Sequence, residues 1–164
     1  MKTIEVKKTD KKGYGVYALK EFKKGDTILF IGGIVWERED TINYPHEFNP
    51  KWNPIGRREN MIQFLYSKDE WIYINHHCNS NCGLINDREL VAKKDIKIGE
   101  EITQDYSTLD IEAINGSAKE LEMKCQCGYE KCRKIITTFD RLPKEKQDEL
   151  YPYLNSSVKE MYNL

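Results

Sequence analysis

The stretch INHHCNSNC, residues Ile74–Cys82, carries side chains that are polar, able to bind a metal, or thiols at the eight consecutive positions after Ile74, near the centre of the chain. It follows an apolar run, Trp71–Ile74, which predicts a short buried strand. A polar group that is buried without a partner costs free energy. We therefore expect these side chains to have partners, the simplest of which are a ligand and a metal ion.

Two later motifs and one earlier motif accompany this stretch. GEEITQDY spans Gly99–Tyr106, and CQCGYEKCR spans Cys125–Arg133. Near the start of the chain, Gly13 and Gly15 flank Tyr14, and two glycines let a backbone approach a ligand closely or adopt positive φ. Each motif alone is weak evidence, since a lone Gly-x-Gly is more often a turn. The four motifs in this order are highly specific.

The motif order resembles that of the SET-domain protein-lysine methyltransferases with a post-SET zinc motif, from about Lys12 to Arg133. The resemblance implies a mainly β SET fold of the β-clip type, with several small sheets, a threaded C-terminal segment and short C-terminal helices. Residues 75–81 would pass beneath a loop closed by residues 99–106, with Asn81 tying the crossing strands. Threading is rare among folds, so this feature rests on the resemblance alone.

We expect a single structural unit in three parts. These are a SET domain at residues 1–116, a post-SET zinc-binding segment at 117–134, and a C-terminal strand and helical extension at 135–164. A length of 164 residues fits one domain with a moderate core.

Local patterns predict several further elements. Ile4–Val6 is expected to be an edge strand, and residues 38–60, rich in Asn and Pro, an irregular insert. Further predictions are paired strands at Met61–Leu65 and Trp71–Ile74, a hairpin turn at Asn86–Arg88, a helix of about ten residues opened by Leu142–Pro143 with Leu150 and Leu154 on one face, and a capping box at Ser157-x-x-Glu160 for a last short helix.

A short internal repeat is also visible. Ala18–Ile28 and Ala92–Ile102 both read Ala-x-Lys-acid-apolar-Lys-x-Gly-acid-x-Ile. The repeat is too short for a solenoid. It predicts two similar strand–turn–strand units, each with a glycine in the tight turn. Such units also occur in small β-clip binding domains, so the repeat supports the fold and not the chemistry.

The cysteines predict a metal site. Structural zinc takes four tetrahedral thiolate or imidazole ligands, and the C-terminal motif supplies three. The resemblance implies a fourth from the central stretch, which gives the set Cys78, Cys125, Cys127 and Cys132. His77 and Cys82 are rivals for the fourth place, although a buried core role is favoured for Cys82. Free buried thiols are the alternative for the whole set.

The resemblance also implies a cofactor and a reaction. S-adenosylmethionine would be bound by Tyr14, Gly15, Asn75 and His76, and Tyr106 would be the catalytic tyrosine. A free lysine has a pKa of about 10.4, and an apolar channel would favour the neutral amine that the transfer needs. For a single tyrosine among ten, packing is the commoner role, and a core histidine is the commoner role for His76. The order of the four motifs nevertheless favours the functional roles for Tyr106, Asn75 and His76.

The chain departs from the family pattern in the expected substrate channel. Gln104 stands where the family usually has Phe or Tyr, and Phe30 stands where a channel Tyr is common. Ile72 falls where Arg often precedes the Asn-His pair. A Gln amide can donate and accept hydrogen bonds, so Gln104 could hold a water beside the amine. This predicts a mono- or dimethyl product.

Composition limits the compartment. No apolar run approaches the length that spans a bilayer, and charges interrupt the apolar pattern of Met1–Lys8, so neither a membrane segment nor a signal peptide is expected. Five cysteines are an odd number, and Cys-x-Cys cannot comfortably close a disulfide on itself. A reducing intracellular compartment is favoured, without distinguishing nucleus from cytoplasm.

Charge indicates the partner. The net charge of −1 gives no reason to expect direct nucleic-acid binding, and the eight lysines against three acids in residues 1–24 are interpreted as a solvated face. Residues 100–122 hold seven acids against Lys119 and bracket Tyr106. They could steer a lysine-rich protein substrate, histone or other, towards the site. Two alternatives remain: a degenerate SET module that binds cofactor or peptide without turnover, and a zinc-stabilised interaction domain.

Overall fold

The computed structural model describes residues 1–10, 12–39, 52–58, 61–109 and 123–164. The described part consists mostly of short strands in small sheets, which confirms the predicted fold class. Its elements are β1 (Ile4–Lys8), β2 (Tyr14–Ala18), β3 (Thr27–Phe30), β4 (Ile34–Glu39), β5 (Trp52–Arg58), β6 (Met61–Tyr66), β7 (Asn75–His76), β8 (Cys82–Ile85), β9 (Glu89–Ala92), β10 (Glu101–Gln104), β11 (Met123–Lys124), β12 (Ile135–Ile136), α1 (Lys144–Leu150) and α2 (Ser156–Met161).

Four sheets arrange these strands, in the orders β1-β2-β10-β7, β3-β9-β8, β4-β6-β5 and β11-β12. The edge-strand prediction for Ile4–Val6 is confirmed, because β1 ends the first sheet. At the other end of that sheet β7 pairs in parallel with β10, Asn75 opposite Thr103 and His76 opposite Gln104. The central stretch and the second motif therefore lie side by side.

The predicted strand at Trp71–Ile74 is wrong. Residues Glu70–Tyr73 form a 3-10 helix, and the strand begins only at Asn75. Trp71 and Ile74 are both buried, and side chains three residues apart lie on the same side of a 3-10 helix. A short apolar run fits either structure, so periodicity could not separate them. Strand β6 pairs instead with β4 and β5.

The predicted irregular insert is also partly wrong. Strand β4 continues to Glu39, and β5 occupies Trp52–Arg58, while residues 40–51, 59 and 60 lie outside the described part. Pro54 argued against a strand because proline cannot donate to a ladder. It is tolerated here because β5 is the edge of its sheet and its register shifts between Pro54 and Gly56.

The two halves of the internal repeat bind each other. Phe22 and Ile96 exchange backbone hydrogen bonds of 3.0 and 2.8 Å. Gly25 donates to the carbonyl of Ala92, and Gly99 donates to the carbonyl of Ala18, both at 2.8 Å. The two glycines have φ of 93° and 81°, a conformation that side chains disfavour. The repeat thus builds two equivalent tight turns that face each other.

The hairpin turn is confirmed. Asn86 and Asp87, between β8 and β9, have φ of 51° and 57°, as the two central residues of a type I′ turn require. Strands β8 and β9 contribute buried side chains to the main core, which is built around Val16, Phe22 and Ile102.

The first C-terminal helix is shorter than the predicted length of about ten residues, and the last helix is short, as expected. Helix α1 has seven residues and is followed by a 3-10 turn, but Leu150 and Leu154 share a small apolar core as expected. The capping-box prediction is wrong, because α2 begins at Ser156 and Ser157 lies inside it. No helix in the described residues is long and apolar enough to cross a bilayer.

The C-terminal extension packs directly on the core at Gly83. A Cβ placed on Gly83 would lie 2.5 Å from the ring of Tyr153, so the ring rests on a bare backbone. Nearby, the N–H of Asn155 donates to the carbonyl of Thr108 at 3.1 Å, and the N–H of Ser156 donates to Asp87 at 2.7 Å. The extension is thereby fixed to β8 and to the hairpin turn.

Replacing Gly83 with Ala should destabilise the protein by about 1–3 kcal/mol, because the added methyl group displaces the Tyr153 ring. Gly32→Ala is the matched control, since its Cβ would meet nothing within 4 Å, and its effect should stay within about 0.5 kcal/mol. Urea unfolding of both variants measures the difference. Equal losses in the two variants would contradict this account of the contact.

Candidate active site and metal centre

Three of the four residues predicted to bind a cofactor lie together on the first sheet. The Asn75 side-chain amide donates to the carbonyl of Tyr14 and to the Glu101 carboxylate, both at 2.8 Å. A Cβ on Gly15 would lie 2.7 Å from that carboxylate and 3.1 Å from the Asn75 amide nitrogen. Glycine is needed here for close approach. The Lys12 ammonium pairs with Glu101 at 3.1 Å and completes the group.

The backbone and the ring of the fourth residue, His76, face different environments: the backbone lies at the edge of the sheet and the ring in the interior. In the parallel pair the N–H of His77 donates to the carbonyl of Gln104 at 3.1 Å, and backbone groups alternate in direction along a strand. The N–H and C=O of His76 therefore face away from β10, at the open edge of the sheet. Its ring points inward and is buried.

Both ring nitrogens of His76 contact protein groups. The N–H of Tyr106 donates to Nδ1 at 3.1 Å, and Nε2 lies 3.4 Å from Sγ of Cys78. Burial lowers the pKa of His76 to about 4, despite the carboxylate of Asp105 at 3.7 Å. The ring is therefore neutral, and because Nδ1 accepts, its proton belongs on Nε2.

Tyr106 follows β10 and begins a 3-10 helix, Tyr106–Thr108. Its hydroxyl donates to the carbonyl of Ile74 at 2.7 Å, the residue directly before β7. Burial, with the nearby charge of Glu101, raises the pKa of Tyr106 to about 12. The hydroxyl is therefore protonated at neutral pH and has a fixed direction, so it cannot serve as an anionic base.

The two residues predicted to line a substrate channel lie in different sheets. Gln104 is buried in β10, with its amide nitrogen 3.5 Å from the hydroxyl of Thr108. Phe30 is at the end of β3 and is 68% exposed. Their shared role in a channel stays a prediction.

The structure brings four cysteines together. The Sγ atoms of Cys78, Cys125, Cys127 and Cys132 all lie within 4.8 Å of one another, although Cys78 is 47 residues or more from the others. Burial raises the pKa of Cys78 and of Cys125, whereas backbone N–H groups of Cys78 and Tyr129 and the neighbouring thiols lower the pKa of Cys127 to about 7 despite its own burial. Four converging soft ligands fit a tetrahedral metal ion.

The rival ligands lie elsewhere. Cys82 is fully buried, its thiol donates to the carbonyl of Thr103 at 3.1 Å, and burial raises its pKa well above the usual range. His77 accepts the N–H of Asn79 through Nδ1 at 3.0 Å. The cluster of four cysteines therefore contains Cys78, and neither His77 nor Cys82 belongs to it.

An ion pair that the sequence did not reveal joins the C-terminal motif to the site. Arg133 donates two hydrogen bonds of 2.7 Å to the carboxylate of Asp105, whose side chain is fully buried. Burial alone would raise the pKa of Asp105, but the guanidinium outweighs it and the pKa is lowered. Asp105 belongs to the GEEITQDY motif and Arg133 to the CQCGYEKCR motif, but the spacing of the residues gives no signal that the two would pair.

Residues 13–107, more than half of the chain, match the family described as "SET domain". The chain belongs to the SET-domain family.

Individual relatives are distant. The chain is 30% identical over 129 residues to "Variant-silencing SET domain-containing protein" of Plasmodium falciparum (isolate 3D7), covering 65% of this chain and 5% of that protein. It is 27% identical over 158 residues to "Histone-lysine N-methyltransferase SETMAR" of Rattus norvegicus, covering 81% and 50%. The chain thus spans at most half the length of these relatives.

A solved structure shows the same fold. It is the methyltransferase domain of human "Histone-lysine N-methyltransferase SETMAR", with a TM-score of 0.50 and 19% identity over 82% of this chain and 58% of that one. This likeness supports the arrangement of small sheets described above.

Replacing Asp105 with Asn should destabilise the protein by about 3–5 kcal/mol at pH 7, because it leaves the Arg133 guanidinium buried without its anion. Since the pKa of Asp105 is lowered on folding, its stabilisation is present above the ordinary value of 3.8 and is lost as pH falls below it. The difference between native and variant should shrink there.

Urea unfolding at pH 7 and pH 3, with chelator present throughout, measures this difference. Asp148→Asn is the control, because that carboxylate is exposed and pairs only along its own helix with Lys144. A native advantage that is unchanged at pH 3 would contradict the ion-pair account.

Proposed function

We propose that this domain transfers a methyl group from S-adenosylmethionine to a lysine side chain of a protein substrate, with Tyr106 as the catalytic tyrosine. The observation that carries the proposal is the 2.7 Å hydrogen bond from the Tyr106 hydroxyl to the Ile74 carbonyl. It fixes a protonated hydroxyl and a carbonyl oxygen directly beside Asn75 and His76, the pair predicted to bind the cofactor.

The residues fit the proposed cofactor. Adenine presents a donor and an acceptor along one edge, and the outward N–H and C=O of His76 offer the complementary pair. The Asn75 amide and the ion pair of Lys12 with Glu101 supply polar groups for the rest of the molecule. The partly exposed ring of Tyr14 provides an apolar face. S-adenosylmethionine supplies a methyl group on a positively charged sulfur.

The chain's own groups account for the needs of the transfer. A lysine must arrive as a neutral amine, and a buried approach favours that form. Because the O–H of Tyr106 donates its hydrogen bond to the carbonyl of Ile74, the hydroxyl oxygen keeps lone pairs that can accept an amine N–H. Carbonyl oxygens such as that of Ile74 can hold methyl hydrogens by weak C–H···O contacts. Positioning then supplies much of the rate.

A lysine-containing protein is the proposed substrate, with histones among the candidates because the relatives are named histone-lysine methyltransferases. Of the acidic residues at 100–109, Glu101 pairs with Lys12 and Asp105 is buried against Arg133, which leaves Glu100 to steer such a substrate, while the acidic residues at 110–122 lie outside the described part of the chain. A buried Gln104 beside Thr108 is consistent with a held water and hence with a mono- or dimethyl product.

Zinc is the proposed occupant of the four-cysteine cluster. Cys78 would tie the central stretch to the C-terminal motif, and the ion pair of Arg133 with Asp105 strengthens the same junction. A closed set of four thiolates leaves no open coordination position, so the role of the metal would be structural.

One zinc per chain should be found by elemental analysis of the native protein, and Cys78→Ser should lose most of it because the set then has three thiolates. Cys82→Ser is the control and should keep its zinc, since that thiol bonds to Thr103 instead. Loss in Cys82→Ser with retention in Cys78→Ser would overturn the ligand set.

Tyr106→Phe removes one oxygen and keeps the ring packing. It should lower kcat for methyl transfer about 100-fold or more while leaving affinity for S-adenosylhomocysteine nearly unchanged, as expected of an interaction made mainly in the transition state. Labelled cofactor with lysine-rich proteins, followed by mass spectrometry of the modified lysines, measures the rate and identifies the product.

Asn75→Ala is the contrasting variant. It should weaken binding of S-adenosylhomocysteine, measured by calorimetry, by about 1–3 kcal/mol, because the proposal gives Asn75 a polar contact with the cofactor and none with the reacting amine. Equal rates for native and Tyr106→Phe would refute the catalytic role, and unchanged affinity in a folded Asn75→Ala would refute the cofactor site.

A further inference from the structure

We propose that the imidazole ring of His76 is a positioning residue that links the metal ligand Cys78 to the backbone of Tyr106, while only its backbone faces the cofactor. The inference rests on the proposed function for the metal and for the role of Tyr106. It assigns the ring a task different from the cofactor contact that the sequence implied for His76.

The first observation is that the ring has no free nitrogen. Nδ1 accepts the N–H of Tyr106 at 3.1 Å, and Nε2 lies within 3.4 Å of Sγ of Cys78. The side chain is 5% exposed. A cofactor at the open edge of the sheet could not reach either nitrogen without breaking one of these contacts.

The Tyr106 contact fixes the start of the catalytic segment. Tyr106 is the first residue of a 3-10 helix, where backbone N–H groups have no partner within the helix. The N–H of Ser107, the second residue of this helix, donates to the Asp105 carboxylate at 3.1 Å. The N–H of Tyr106 itself donates to Nδ1 of His76. With its N–H held by Nδ1 and its hydroxyl held by Ile74, Tyr106 is fixed at both ends.

The Cys78 contact places a hydrogen-bond donor on a metal ligand. Four thiolates around one Zn²⁺ give the cluster a net charge of about −2, which N–H donors to sulfur partly relieve. Cys78 has two such donors, Nε2 of His76 and the N–H of Arg133 at 3.5 Å. Hydrogen bonds of this kind orient metal ligands, and their loss typically costs about 10–100-fold in metal affinity.

The geometry therefore couples the two sites through one ring. A metal that holds Cys78 also holds the orientation of the His76 ring, and the ring holds the Tyr106 backbone. His76 reaches both because it lies at the end of β7, opposite Gln104 in β10. Cys78 comes two residues after His76, and Tyr106 comes two residues after Gln104.

Two half-replacements separate the two contacts. Asn carries its side-chain oxygen near the position of Nδ1, and Gln carries its NH₂ near the position of Nε2. His76→Asn should keep the acceptor for Tyr106 and bind zinc about 10–100-fold more weakly in competition with a chelator. His76→Gln should bind zinc nearly as the native chain does, but exchange the Tyr106 amide hydrogen about five-fold faster.

Equal changes in both variants, or none in either, would overturn the inference. Nitrogen NMR of the native ring gives a reading that does not depend on the variants: a proton on Nε2 is expected, and a proton on Nδ1 would refute the link. A native chain that binds zinc but transfers no methyl group would refute the proposed function and leave this comparison intact. A native chain that binds no zinc would refute the Cys78 contact.

Discussion

The parallel pairing of β7 with β10 is the constraint on which the rest of this structure depends. It is only two residues long on each side, Asn75–His76 against Thr103–Gln104, yet both motif stretches are brought into contact by it. Strand β10 also pairs with β2, so Gly15 and Tyr14 reach the same place. A parallel pair needs a long connection, and here that connection contains the β8–β9 hairpin and one half of the internal repeat.

So short a ladder needs help, and buried polar side chains provide it. The Asn81 amide donates to the carbonyl of Glu101 at 2.8 Å and accepts the N–H of Thr103 at 2.8 Å. It thus adds two side-chain hydrogen bonds between the two segments beyond the short ladder. In the same region Asp105 is paired with Arg133 and Tyr106 with Ile74. Each buried polar group that joins these segments resists slippage, because separating them would leave unpaired groups in the interior.

The sequence predicted the motifs and the turns, but not several of the long-range contacts that hold them together. The motifs, the hairpin turn and the facing glycine turns carry their own local signals, such as Asn-Asp in the turn at positions 86 and 87. The 3-10 helix at Glu70–Tyr73 was missed because a short apolar run fits either a helix or a strand. Strand β5 was missed because its pairing with β6 depends on residues distant in the chain. The contact of Tyr153 with Gly83 and the pair of Asp105 with Arg133 join residues far apart in the chain, and no periodicity encodes them.

The division of labour within the Asn75-His76 pair follows from strand geometry. Consecutive side chains in a strand point to opposite faces, so when Asn75 points to the partly exposed face beside Gly15, His76 must point inward towards Cys78. Two adjacent residues therefore face the two proposed sites, and the C-terminal cysteines lie near the tyrosine segment on the side opposite to the proposed cofactor face. The buried ring of His76 contacts both Cys78, which lies against the C-terminal cysteines, and the N–H of Tyr106, so we expect the docking of the C-terminal motif and the position of Tyr106 to depend on each other.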